Sequence, residues 1–223
     1  FRSSVAIHPK GLMAAEHYLV VRQLMYRTVY NHRLNIVCNW LLRQVIAVAR
    51  RLGPESVAAD AVMTRWLWHL DQLDLDGYLA NDDLRTGYHL LRWREDGPAE
   101  LAELCARLLD RHLLQATDVS ECSAELRLEL LAEAQRLSHQ QGLRSENCCG
   151  LQQRRSRGYD PYRSGLRLWD GHRLQALEQS STLVQALATP LDQTWLIHPH
   201  EVTTALRSEE HTSELQSQFR ISY

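Results

Sequence analysis

Lysine is all but missing from this chain of 223 residues: Lys10 is the only one, and every other strong cation is arginine. GC-rich codon usage explains such a bias. So does phosphate recognition, which favours a planar fork of donors over a point charge. The formal net charge is −2, so the total marks no polyanion binder. Cysteine is sparse, at five residues, with no CxxC pair and no Cys/His cluster at zinc spacing. The adjacent pair Cys148-Cys149 would form only a strained mutual disulfide, so a reducing, cytoplasmic compartment fits best. No apolar run is long enough to cross a bilayer and no signal peptide is visible, so a membrane is not an expected partner. GxGxxG, the P-loop, GxSxG and HExxH are all absent. There is no internal repeat.

What is present is a stretch, residues 11–53, with no proline and no internal glycine. Its apolar residues Leu12, Ala15, Leu19, Met25, Val29, Ile36, Trp40 and Ile46 follow helical spacing. Unbroken, about 40 helical residues would span about 60 Å. The helix would carry Arg22, Tyr26, Tyr30 and Arg33 on one stripe, at steps of four, four and three. Val21, Met25 and Val29 form a neighbouring apolar stripe, expected to be buried. Arg22 suits a phosphate, Tyr26 and Tyr30 a sugar or base, and Asn31 and His32 a base edge or phosphate. The alternative is a solvated helix face with tyrosines at a domain contact.

Further along, helices are predicted over 55–70, 83–93, 99–111 and 123–141, with a connection over 71–80. Strands are predicted over 3–7, 113–119, 149–155, 166–169 and 194–198. Asp170-Gly171 reads as a turn, followed by a helix over 172–188 broken near Ser180-Ser181, and a last helix starts over 201–206. The fold class is mainly α, with a helical region 1–112 and a smaller α+β region 113–206. Trp40, Trp66, Trp68 and Trp93 fall on apolar faces and read as core.

Three weaker candidates remain. Asp82-Asp83 are either paired carboxylates or helix-capping residues, and capping is favoured because no third ligand stands nearby. His198 and His200 flank Pro199 and suit a metal or a polar loop. Arg154, Arg155, Arg157 and Arg163, interleaved with Tyr159 and Tyr162, suit nucleic acid or a nucleotide, or form a flexible surface loop.

The run Arg22, Met25, Tyr26, Val29, Tyr30, His32, Arg33 resembles a signature of HD-domain phosphohydrolases, a family that includes dNTP triphosphohydrolases. Residues 73–93 (LDLDGYLANDDLRTGYHLLRW) and the following LCARLLDRHLLQA also resemble it. The likeness is strong before Gln115 and weak after. It implies an HD-type helical bundle fragment and a parent that hydrolyses deoxynucleoside triphosphates to nucleoside and tripolyphosphate. It also implies a cytoplasmic homo-oligomer with a divalent metal that activates water. Arg22 then matches the triphosphate contact and Tyr30 the residue packed on deoxyribose. Tyr26 stands where relatives carry histidine or tyrosine. Asn31 stands where they carry other residues, so base preference does not transfer. This chain contains no HD dipeptide, so no metal site is expected in it; the ligands are expected upstream. The rival expectation is a non-catalytic nucleotide- or nucleic-acid-binding regulator on the same fold. Residues 207–223 resemble a translated sequencing adapter and are set aside. With Phe1 at the start, the chain reads as a fragment cut at both ends of its gene.

Overall fold

A computed structural model describes residues 6–161 and 165–208. Most of the predicted strand over 3–7, Tyr162, Arg163 and most of the adapter-like tail lie outside the described residues. In chain order the elements are α1 (Leu12–Met25), a π-turn (Tyr26–Tyr30), α2 (Arg33–Leu52), α3 (Ala61–Trp68), α4 (Leu75–Leu79), α5 (Asp83–Asp96) and α6 (Ala99–Leu109). Then come β1 (Gln115–Asp118), α7 (Ala124–Gln140), α8 (Ser145–Cys148), β2 (Gly150–Ser156), β3 (Arg167–Trp169) and β4 (Leu174–Ala176). α9 (Leu177–Ser180), α10 (Thr182–Ala188), β5 (Leu191–His198) and α11 (Thr203–Ser208) complete the order. The chain is mainly helical with a small α+β part. No helix among the described residues is long and apolar enough to cross a membrane.

The chain gathers into two compact units, one formed by residues up to Asn35 with Gln153–Thr194, the other by Ile36–Gln152 with the chain from Trp195. In the second, α2 sets the core. Val37, Leu41, Val45 and Ala49 recur at steps of four and are all buried, as that spacing requires. They join Trp93, Leu101, Cys105 and Ile197 in one cluster. Trp40 and Trp93 are core, as expected, while Trp66 and Trp68 pack against it partly buried. β1 pairs antiparallel with β5, placing Gln115 opposite His198 and Asp118 opposite Trp195. β5 lies between β1 and β2.

Side-chain capping fixes the starts of α3, α4, α5, α7 and α10. Asp82 accepts from Arg85 N at 2.9 Å, the role favoured from sequence. Ser123 does the same for α7, bonding Leu126 N at 3.2 Å. The helix predicted over 55–70 starts only at Ala61, because Asp60 caps it through Met63 N. Before it, Val57 turns back onto the Gly53 carbonyl. The predicted connection over 71–80 contains α4, capped by Asp74.

The first unit is small. Leu19, Tyr159, Leu177, Val184 and Leu187 form its core, ringed by Ile7, Leu12, Ala15, Val20 and Ala188. Tyr159 is therefore a packing residue, and its hydroxyl accepts from Leu166 N at 2.9 Å. Ile7 forms a bridge with Leu168, its N–H reaching the Arg167 carbonyl at 2.7 Å. Asp170-Gly171 turns β3 into β4, as its turn chemistry predicts. The segment after it is strand before it is helix, so the predicted start at 172 is replaced by β4 and α9. The expected break does occur, with Ser181 capping α10.

Candidate nucleotide-binding site

Two of the predictions for residues 11–53 are overturned. The long helix is not continuous. After Met25 the backbone widens into a π-turn, in which Asn31 N donates to Tyr26 O at 2.7 Å, five residues back. A π-turn leaves carbonyls without their usual partners. The Val29 carbonyl accepts from His32 N at 3.3 Å and from Asn35 Nδ2 at 2.6 Å. His32 then starts α2, its Nδ1 accepting from Leu34 N at 3.3 Å. The break is thus built by the NHRLN run, residues 31–35. Second, Val21, Met25 and Val29 are 43, 47 and 51% exposed. The unit's core takes the opposite face of α1, the one that carries Leu12, Ala15 and Leu19.

The stripe of Arg22, Tyr26 and Tyr30 is held together. The Arg22 guanidinium carbon lies 4.7 Å from the Tyr26 ring centre, a cation–π distance. The Tyr26 and Tyr30 ring centres are 4.9 Å apart, tilted by 41°. Arg22 is also fixed from one side, donating to the Gly158 carbonyl at 2.9 Å. Gly158 also lies close to Gln23: a Cβ there would stand 2.9 Å from that side chain. Asn31 accepts through Oδ1 from Arg154 Nε at 3.3 Å. His32 and Arg33 follow at the start of α2, both exposed. Arg154 and Arg155 lie on β2 rather than in a flexible loop. Gly158 and the pairing of Arg154 with Asn31 had no signal in the sequence, because 136 and 123 residues separate the partners.

The other candidates resolve into packing. His198 is fully buried, 3.1 Å from Thr117 Oγ1 and 3.0 Å from the Pro199 carbonyl. His200 is 3.2 Å from Gln115 Nε2. Among the described residues, no group of three or more His, Cys, Asp and Glu side chains could hold a metal ion. A titratable cluster without a sequence signal, around the buried His89, lies in the second unit. His89 is 2% exposed and neither ring nitrogen has a hydrogen-bond partner among the described residues. Its Nε2 stands 3.5 Å from Asp60, which also bonds Arg85. Burial pushes His89 below its ordinary pKa, although Asp60 pulls the other way. For Asp60 burial works upward, but Met63 N–H, Arg85 and His89 outweigh it and hold the carboxyl low.

A family model, the HD associated region, matches residues 1–116, just over half of the chain. The chain belongs to the HD-associated-region family. The match takes in Arg22, Tyr26, Tyr30, Asn31, His32 and Arg33, and it ends where the sequence likeness weakens. Within this HD-associated-region chain, Arg154 and Gly158 lie beyond the match. Over 112 residues the chain is 28% identical to the uncharacterized protein YwfO of Bacillus subtilis (strain 168), a stretch that is 50% of this chain and 26% of YwfO. Its fold is similar to that of a phosphohydrolase, BT4208, from Bacteroides thetaiotaomicron, with TM-score 0.70 and 17% identity over 86% of this chain and 51% of that one. A hypothetical protein from Aquifex aeolicus gives TM-score 0.58 and 16% identity over 94% of this chain and 48% of the other. The chain thus spans about a quarter of the curated relative and about half of each solved chain. At these identities the structural likeness concerns the fold.

Proposed function

We propose that this chain supplies one wall of the nucleotide site of a metal-dependent HD-domain phosphohydrolase, which hydrolyses deoxynucleoside triphosphates to nucleoside and tripolyphosphate. The observation that carries the reading is the stack of Arg22 on Tyr26 on Tyr30. A cation ordered over a ring and anchored to the Gly158 carbonyl is preorganised for a phosphate. The flat faces of Tyr26 and Tyr30 suit a sugar or base. Membership of the HD-associated-region family and a fold shared with a phosphohydrolase support the same reading.

A divalent metal would supply the activated water in such a reaction. The described residues do not fit that group, having no cluster of ligands for it. The chain's own contribution is to bind and orient. Arg22 offsets phosphate charge, the tyrosines fix the sugar, and Asn31, His32 and Arg33 add donors at the rim. The reading places the protein in the cytoplasm as a homo-oligomer, which sedimentation analysis tests.

Calorimetric titration with the four dNTPs tests the site directly. Arg22→Ala removes a charge-assisted bond of about 1.5–3 kcal/mol, so affinity falls by roughly 10- to 150-fold. Absence of binding to the unsubstituted chain refutes the proposal. The isolated chain is expected to hydrolyse no dNTP with any divalent metal; measurable turnover would show the active site to be elsewhere.

A further inference from the structure

We infer that Arg154 sets the orientation of the Asn31 side-chain amide, and that the oriented amide makes the site prefer bases with a carbonyl oxygen over bases with an exocyclic amine. The inference rests on the nucleotide reading above and adds a specificity to it. An arginine has five donors and no acceptor. Whatever lies at hydrogen-bond distance from Arg154 Nε must therefore be the amide oxygen of Asn31, and Oδ1 is found there at 3.3 Å. That choice fixes the other end of the group. The Asn31 Nδ2 makes no hydrogen bond among the described residues, so its two donors are left for a ligand.

The backbone holds this amide in place. Asn31 N is bonded to the Tyr26 carbonyl, which closes the π-turn directly after Tyr30. Asn31 thus follows the ring proposed to pack on the sugar, within one compact unit with Arg154. Guanine O6 and thymine O4 accept from an amide N–H. Adenine and cytosine carry an amino group at the same positions, which meets the Asn31 amide donor to donor. Arg154 lies outside the part of the chain that matches the family model, so this orientation comes from the later region of this chain.

The test uses this chain and four ligands, dGTP, dTTP, dATP and dCTP. One base-edge hydrogen bond is expected to give a preference of about 3- to 10-fold for the keto bases. Arg154→Ala frees the amide to rotate, and the preference should collapse towards one. Arg154→Lys, still donor-only, should retain it. Asn31→Asp keeps an acceptor for Arg154 but turns an acceptor towards the base, so the preference should reverse to dATP and dCTP. A merely structural role for Arg154 would not predict that reversal.

The side-chain amide resonances of Asn31, selectively 15N-labelled, read the orientation without any nucleotide. They should move in Arg154→Ala and stay in Arg154→Lys; unmoved resonances in Arg154→Ala overturn the inference. If the unsubstituted chain binds none of the four, the nucleotide reading falls and the base preference with it. If it binds all four and Arg154→Ala leaves the ratios unchanged, the inference falls alone.

Discussion

Replacing Glu100 by alanine should destabilise the second unit by about 2–3 kcal/mol, and the structure says where that figure comes from. Glu100 sits in the first turn of α6 and is only 7% exposed. Its carboxylate accepts from Asn147 Nδ2 at 2.6 Å and from Arg144 at 3.3 Å, and it pairs with Arg51. The three donors do not lose equally when it goes. The Arg51 and Arg144 side chains are 57 and 54% exposed, so water replaces the carboxylate, and each pair contributes about 0–1 kcal/mol. Asn147 is buried and is left with an unpaired amide, at about 1–3 kcal/mol. Urea unfolding followed by tryptophan fluorescence reads the change, since Trp40 and Trp93 belong to the core of the same unit. With a slope near 2–3 kcal/mol/M, the midpoint should fall by about 1 M. Added salt should weaken the arginine pairs and leave the Asn147 part of the loss in place. A loss below about 0.5 kcal/mol would refute the reasoning, because Asn147 would then be satisfied without Glu100.

Stability should also fall on mild acidification. The unfolded chain protonates His89 near its ordinary value of about 6.5, above the lowered value in the fold, so the stabilisation is full above about pH 6.5 and is lost as pH falls through the folded value. Asp60 acts in the same sense below about pH 4. His89→Phe should flatten the decline in urea midpoint between about pH 7 and 5; an unchanged slope would remove His89 as its cause. Gly97→Ala places a Cβ 2.4 Å from the Trp93 carbonyl, a backbone atom that cannot step aside, and should cost about 1–3 kcal/mol by thermal unfolding.

The parts of this fold that could be read from sequence are those decided locally. Ile36 and Trp40 fall on the helical spacing of the long run and are buried, and Asp82 announces its helix by capping. The stripe of Arg22, Tyr26 and Tyr30 is a local pattern too. Features decided by distant partners could not be read. The three residues of β4 are strand because β3 pairs with them; their own pattern continues a helix. Val21, Met25 and Val29 look like a core stripe, and only the placement of Tyr159, Leu177 and Val184 on the other face of α1 leaves them exposed. Nothing in the local sequence sets Glu100 apart from other charged helix residues; the fold alone brings Asn147 and Arg144 to it.

The π-turn explains why spacing identified the candidate stripe but not its chemistry. Polar residues from Asn31 to Asn35 look, in sequence, like free ligand-binding groups. In the fold Asn31, His32 and Asn35 each have a structural task first. Asn31 closes the π-turn with its backbone N–H and meets Arg154 with its oxygen. Asn35 saturates the Val29 carbonyl. His32 accepts from Leu34 N through Nδ1, so its neutral ring must carry the proton on Nε2. Asn31 keeps its amide donors and His32 its Nε2–H, while Asn35, having donated, keeps an acceptor oxygen; the Arg22 guanidinium on the same stripe is donor-only. A face whose remaining polar groups mostly donate has little to offer a cation. It is matched to a ligand rich in acceptors, such as a phosphate chain or a keto base.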